Sequence, residues 1–299
     1  MDAVFFGTPD FAADILQALI DSPHNVRACV SAPDRPRDRG KKVQPTPVRA
    51  LAESRGIPVL GPEKARDKDF ISELSQIPAD IFIVAAYGLF LPGKILGMPR
   101  YGCINVHASL LPKYRGASPI TQAIINGDAI TGVTIMQMDK GMDTGDILYV
   151  KELEISPEDT TASLSNRLSG LGGAALLEAL DMIEAGAIQP VPQDSSIATH
   201  APLLTKEMGD IDFKKPAREI VNLVRALDPW PGARTEINGT LLKVWKAEAT
   251  SGSGAAGSLL PAKDAIIIAC GDGAVKLTEI QALGGRRMSA GEYLKGHSL

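Results

Sequence analysis

Four short apolar runs constrain the fold more than any other feature: AVFFG (3–7), NVRACVS (25–31), ADIFIVAAY (79–87) and GCINVHA (102–108). They are the length of strands, and ADIFIVAAY is apolar at consecutive positions, the mark of a strand covered on both faces. Helical patterns lie between them. DFAADILQALI (10–20) sets Phe11, Ile15, Leu16 and Leu19 at helical spacing with Asp10 as the expected N-cap. TPVRALAESRG (46–56) offers Thr46 as cap, Pro47 in the first turn and Gly56 at the stop. Strands joined through helices pair in parallel, so the pattern predicts an α/β fold: a Rossmann-like, doubly wound, mostly parallel sheet.

The pattern continues with two more strands, TGVTIMQMD (131–139) and DILYVKELEI (146–155), and a long helix over 159–186 with Leu164, Leu168, Leu171 and Ala175 on one stripe. At 187 the texture changes. AIQPVPQDSSIATHAP is rich in proline and small polar residues and reads as a linker. Beyond it, KPAREIVNLVRALDPWPG (215–232) starts a helix at Pro216 and ends it at the later prolines. Hairpin turns are expected at Asn238-Gly239 and Asp272-Gly273, with SGSGAAGS (251–258) as a flexible surface loop between them. Short strands and tight turns suggest a small β-barrel, OB-like. The expected domains are 1–188, a linker over 189–205, and 206–299.

Several classes are excluded. A net charge of −4 rules out a uniformly basic nucleic-acid binder, so any polyanion site is a local patch. Three scattered cysteines give neither a disulfide framework nor a zinc spacing, which favours a reducing, cytoplasmic setting. Asp2, Pro9 and Asp10 interrupt any secretory signal, and no apolar run would span a bilayer, so no membrane partner is expected. FFGTPDF (5–11) has one glycine where a dinucleotide fingerprint needs three.

The chemistry concentrates in INVHASLLPKYRG (104–116). Residues two apart on a strand share a face, so Asn105 and His107 point together near the carboxyl end of a strand, where open α/β sheets hold ligands. An amide N–H can stabilise an oxygen gaining negative charge, and an imidazole can take and return a proton near neutrality. A second stretch, MDKGMDTGDI (138–147), brings Asp139, Asp143 and Asp146 around two glycines. Such a run suits an ordinary turn, or one of its aspartates orients the histidine and steadies its cation. Spacing does not say which.

INVHASLLPKYRGASPI together with GVTIMQMDKGMDTGDIL resembles the signature of the 10-formyltetrahydrofolate-dependent formyltransferases. The resemblance implies that Asn105, His107 and Asp143 are the catalytic set for formyl transfer to an amine. It implies 10-formyltetrahydrofolate as formyl donor, and no metal. It also implies a folate slot walled by Tyr87, Gly88, Leu89, Phe90 and Leu91 on one side and Ser109, Leu110, Leu111 and Pro112 on the other.

The acceptor is suggested by SAPDRPRDRGKKVQPTPVRA (31–50), a long connection between a strand and its helix. Residues 33–49 hold six cations against two carboxylates on an otherwise acidic chain. A charge run is ordinarily a solvated loop, but this one could track an RNA backbone. It resembles the RNA-contacting loop of family members that act on methionyl-tRNA. GDIDFKKPAREIVNLVRALDPWPGART and RRMSAGEYLKGHSL resemble the C-terminal half of the same members. The resemblance implies initiator methionyl-tRNA as acceptor, its acceptor arm held by Arg35, Arg37, Arg39, Lys41, Lys42 and Lys206. A monomer is expected. The alternatives are a sugar-amine formyltransferase and a non-catalytic RNA- or folate-binding protein.

Overall fold

Seven strands form the main sheet in the computed structural model, which describes residues 1–37 and 42–297. They are Asp2–Gly7 (β1), Asn25–Val30 (β2), Val59–Leu60 (β3), Ile81–Ala85 (β4), Cys103–His107 (β5), Ile130–Gln137 (β6) and Ile147–Glu154 (β7). Their spatial order is β3-β2-β1-β4-β5-β6-β7. Every pairing from β3 to β5 is parallel, and β6 then runs antiparallel to β5. The order reverses at β1, which is the doubly wound topology. Every residue of β4 is buried, as its unbroken apolar run requires. The strand is shorter than its apolar run because Ala86 (φ 43°) and Gly88 (φ 85°) turn the chain out of the sheet.

Helices Asp10–Ile20 (α1), Pro47–Ser54 (α2), Lys68–Leu74 (α3), Gly93–Leu96 (α4), Pro119–Ile125 (α5) and Thr161–Glu184 (α6) lie between or after these strands along the chain. The expected cap at Thr46 is present, its hydroxyl accepting from Arg49 N–H. The expected cap at Asp10 is not. Pro9 occupies that position without a side-chain bond, and Asp10 is the first helical residue, where a carboxylate complements the helix dipole. Gly7 ends β1 where the chain turns toward α1. A Cβ there would lie 2.7 Å from Ala12 Cβ and 3.0 Å from Ala85 O. The long basic connection contains a short hairpin, Arg35–Arg37 paired with Lys42–Gln44, where a loop was expected.

The chain divides into two compact units. One comprises residues 1–116, 131–154 and 165–200; the other comprises 117–130, 155–164 and 201 onward. The expected boundaries at 188 and 206 bracket the last crossing at 200, but composition gave no hint of the two internal excursions. The second unit contains helix Ala217–Ala226 (α7) and the strands Ala233–Ile237 (β8), Thr240–Thr250 (β9), Leu259–Leu260 (β10), Ile266–Ala269 (β11), Ala274–Ala282 (β12) and Met288–Ser289 (β13). Their order is β8-β9-β12-β11-β10, with β13 added to β12. Both hairpin turns form where expected, with Asn238 (φ 47°), Gly239 (φ 79°) and Gly273 (φ 70°) in the left-handed region. Register shifts between Val244 and Ala247 bend β9 and curl the sheet into an OB-like half-barrel. Ile220 and Val224 of α7 pack into it against Val244, Ile266, Leu277 and Ile280.

Candidate active site

Strand β5 carries Asn105 and His107 on one face, two residues apart. His107 is 6% exposed and Asn105 is half-buried. The turn between β6 and β7 brings Asp143 to the same place. Asn105 Nδ2 lies 3.5 Å from Asp143 Oδ1, and His107 Nδ1 lies 3.7 Å from Asp143 Oδ2. The three sequence candidates therefore converge.

The structure distinguishes the three aspartates of MDKGMDTGDI. Asp139 is occupied inside the turn, accepting from Gly141 N–H at 2.8 Å and from Thr144 Oγ1 at 2.8 Å. Asp146 contributes its backbone carbonyl, which accepts from Gln137 N–H at 2.8 Å. Asp143 alone of the three turns its carboxylate toward His107. Its backbone is left-handed at φ 54°, unusual for a residue with a side chain. The two glycines allow so tight a turn. A Cβ at Gly145 would sit 1.8 Å from Gln137 O, and one at Gly141 would sit 1.9 Å from Thr144 Oγ1.

The orientation of the imidazole departs from the expected triad. Its Nε2 lies 2.9 Å from the backbone carbonyl of Tyr114. A carbonyl only accepts, so Nε2 carries hydrogen and Nδ1 is the nitrogen outside that bond. Tyr114 supplies the orienting hydrogen bond. Asp143, at 3.7 Å, stands beyond hydrogen-bond length but within reach to stabilise a cation. The Asp143 carboxylate is itself held by Gly116 N–H at 2.8 Å.

Thr134, which sequence reasoning missed, completes the loop. Thr134 on β6 donates to Ser109 O at 2.7 Å and accepts from Leu111 N–H at 3.1 Å, which fixes the turn after His107. Ser109 is buried and its hydroxyl donates to Lys113 O; Leu111 is buried, while Leu110 and Pro112 are half-buried. In the segment 87–91, Tyr87 and Leu91 anchor in the core, whereas Leu89 and Phe90 are exposed by 37% and 54% around the left-handed Gly88. Among the described residues the buried Tyr87 hydroxyl has no hydrogen-bond partner, and burial pushes its pKa up to about 12. Beside this segment a cleft of about 400 Å³ is lined by Arg66, Phe90, Leu91, Pro92, Gly93 and Lys140.

Of the cationic candidates, Arg35, Arg37 and Lys42 lie on the strands of the small hairpin, and Lys206 is exposed in the second unit. Arg39 and Lys41 fall outside the described residues. Among the described residues no cluster of three His, Cys, Asp or Glu side chains could hold a metal, and no helix is long and apolar enough to cross a membrane.

The chain is similar to known proteins over its whole length. Residues 1–180 match the family described as formyl transferase, and residues 203–298 match formyl transferase, C-terminal domain. The methionyl-tRNA formyltransferase of Caldanaerobacter subterraneus subsp. tengcongensis is 47% identical over 302 residues, covering 100% of this chain and 98% of that protein. The methionyl-tRNA formyltransferase of Myxococcus xanthus is 47% identical over 297 residues, covering 99% and 95%. Among solved structures, the sugar 3N-formyl transferase WlaRD superposes with a TM-score of 0.70 at 20% identity, covering 96% of this chain and 99% of that one. HypX from Aquifex aeolicus, in complex with tetrahydrofolic acid, gives 0.66 at 19%, covering 98% and 47%. At these identities the structural likenesses establish the fold alone.

Proposed function

Because the chain belongs to the formyl transferase family, we propose that it transfers a formyl group from a reduced folate to the α-amino group of methionyl initiator tRNA. The donor is 10-formyltetrahydrofolate, and the product serves translation initiation. The observation that carries the chemistry is the convergence of Asn105, His107 and Asp143 from separate segments onto one face of the sheet. The methionyl-tRNA formyltransferases similar over the full chain carry the choice of acceptor.

Each residue has a task set by its surroundings. Asn105 offers an N–H to the formyl oxygen as that oxygen gains negative charge; its 3.5 Å contact with Asp143 is long enough to yield to a better acceptor. His107 keeps hydrogen on Nε2, against Tyr114 O, and at Nδ1 takes the proton of the attacking amine and gives it to the departing folate nitrogen as its bond to the formyl carbon breaks. Asp143 stabilises the resulting imidazolium through Oδ2. An α-amino group titrates near pH 7.7–8.0 in peptides, so a fraction is free to attack without a strong base. Positioning and oxyanion stabilisation are the larger needs.

The folate donor supplies the one-carbon unit. The residues fit such a group: Leu89 and Phe90 present apolar surface for a flat ring system, and Gly88 lets backbone approach it closely. Ser109, Leu110, Leu111 and Pro112 provide the opposing wall, and Arg66 and Lys140 match the carboxylates at the far end of a folate. For the tRNA, Arg35, Arg37, Arg39, Lys41, Lys42 and Lys206 supply cations for the acceptor-arm phosphates. The buried free thiols of Cys29, Cys103 and Cys270 suit a reducing, cytoplasmic setting.

The test is formylation of charged initiator tRNA with 10-formyltetrahydrofolate supplied and then omitted, run beside nucleotide-linked amino sugars. Donor-dependent formyl-methionine is the expected product. Faster formylation of an amino sugar would overturn the choice of acceptor.

A further inference from the structure

Gln193 lies in the stretch whose composition reads as a linker. That stretch is in fact stitched to the active site. Val191 and Ile147 exchange two backbone hydrogen bonds, at 2.8 and 2.9 Å, and dock the segment beside the start of β7. Eight residues later, Thr199 accepts from Arg115 N–H through its carbonyl and from Tyr114 N–H through its hydroxyl, both at 2.9 Å.

Between these two anchors, Gln193 sits between a cation and two carbonyls. Arg115 is 5% exposed. Its Nε and Nη2 both donate to Gln193 Oε1, at 3.0 and 2.8 Å. Gln193 Nε2 donates to Asp143 O at 2.9 Å and to Gly145 O at 2.7 Å. A guanidinium only donates and a carbonyl only accepts, so the orientation of this amide is fixed by its partners. Both amide hydrogens are engaged, and both hold the turn that carries Asp143. That turn needs holding, because Asp143 is in a left-handed conformation that most residues avoid.

We propose that Gln193, locked by Arg115, is a positioning residue: it clamps the backbone of the Asp143 turn and so aims the Asp143 carboxylate at His107 and Asn105. The strap over residues 191–199 thereby secures both partners of the imidazole, since Thr199 fixes the Tyr114 segment whose carbonyl receives His107 Nε2. The proposal rests on the reading that Asp143 acts on His107, and the experiment separates the two.

Formylation of methionyl-tRNA is measured with the full chain for Gln193→Ala, Gln193→Glu, Asp143→Asn and the double variant Gln193→Ala/Asp143→Asn. Gln193→Glu keeps an acceptor for Arg115, removes the two donors and sets a carboxylate oxygen against the Asp143 and Gly145 carbonyls. Misplacement of a group by about 1 Å costs about 100-fold, so both Gln193 variants should lose about 30- to 100-fold in kcat, with KM for tRNA and folate within about threefold. Acting through Asp143, Gln193→Ala should cost less than about threefold further in the Asp143→Asn background. Should Gln193→Ala lose its native circular dichroism, Gln193→Glu decides alone. A Gln193→Glu enzyme within threefold of wild-type kcat, or losses that multiply in the double variant, would overturn the proposal. An Asp143→Asn enzyme of wild-type activity would overturn the reading of Asp143 itself, and the proposal with it.

Discussion

Replacing Asn105 tests the oxyanion assignment most directly. Asn105→Ala deletes the amide and leaves the strand intact, since β5 pairs through its backbone with β4 and β6. Loss of one preorganised oxyanion donor costs about 100- to 1,000-fold in kcat, roughly 2.7–4 kcal/mol. The same substitution should hardly affect stability. The only bond it breaks among the described contacts of that side chain is the 3.5 Å approach to Asp143, at the outer limit of hydrogen bonding. Such a loss is below about 1 kcal/mol, or about 2–4 °C in Tm for a domain of this size. Asn105→Asp sharpens the test. It puts an acceptor where a donor is needed, and a second carboxylate about 3.5 Å from Asp143. At an effective dielectric constant near 20 that repulsion is on the order of 4–5 kcal/mol before one carboxyl takes up a proton. Single-turnover formylation with charged tRNA and saturating donor should therefore rank wild type far above Asn105→Ala, with Asn105→Asp no better than Ala. An Asn105→Ala rate within fivefold of wild type, or an active Asn105→Asp, would refute the assignment.

Gly145→Ala should cost at least about 100-fold in kcat and lower the Tm, because its Cβ would lie 1.8 Å from the main-chain oxygen of Gln137 and the Asp143 turn must move; a fully active variant would show the turn to be adaptable. His24 provides a pH test. Burial, and then the neighbouring N-terminal amine, hold its pKa below the usual histidine value. The unfolded chain thus binds more protons, so stability should fall as pH drops through and below about 6.5. Urea midpoints from pH 5 to 8 should show this slope, and His24→Gln should flatten it. Neutralising Arg39, Lys41 and Lys42 should weaken tRNA binding and leave donor KM unchanged. If about four loop charges meet phosphates, log affinity falls with log salt at a slope of roughly −3 to −4, and the triple variant should be shallower by about three.

The sequence made much of the fold legible because strands, caps and hairpins answer to close neighbours. The apolar run of β4, the Thr46 cap before Pro47 and the turn at Asn238-Gly239 each depend on a few adjacent residues. The same local logic put Asn105 and His107 on one face. It failed where two local rules competed. Asp10 looked like a cap, but Pro9 already held the extended conformation of that position, and the aspartate became the first helical residue. Short elements such as α3 and α5 escaped notice because seven residues carry too little periodicity to stand out.

By itself, then, the sequence determined the kind of sheet, the shared face of an amide and an imidazole, and, through a long specific motif, the chemistry to expect there. Only the tertiary structure decided which imidazole nitrogen is free, which aspartate faces it, and that a supposed linker braces the turn behind them. Those outcomes depend on partners distant along the chain, such as Gln193 and Arg115, 78 residues apart. Alternation and propensity extend over one strand or one helical turn. The meeting of remote segments is set by how the whole chain packs, and no local pattern records it.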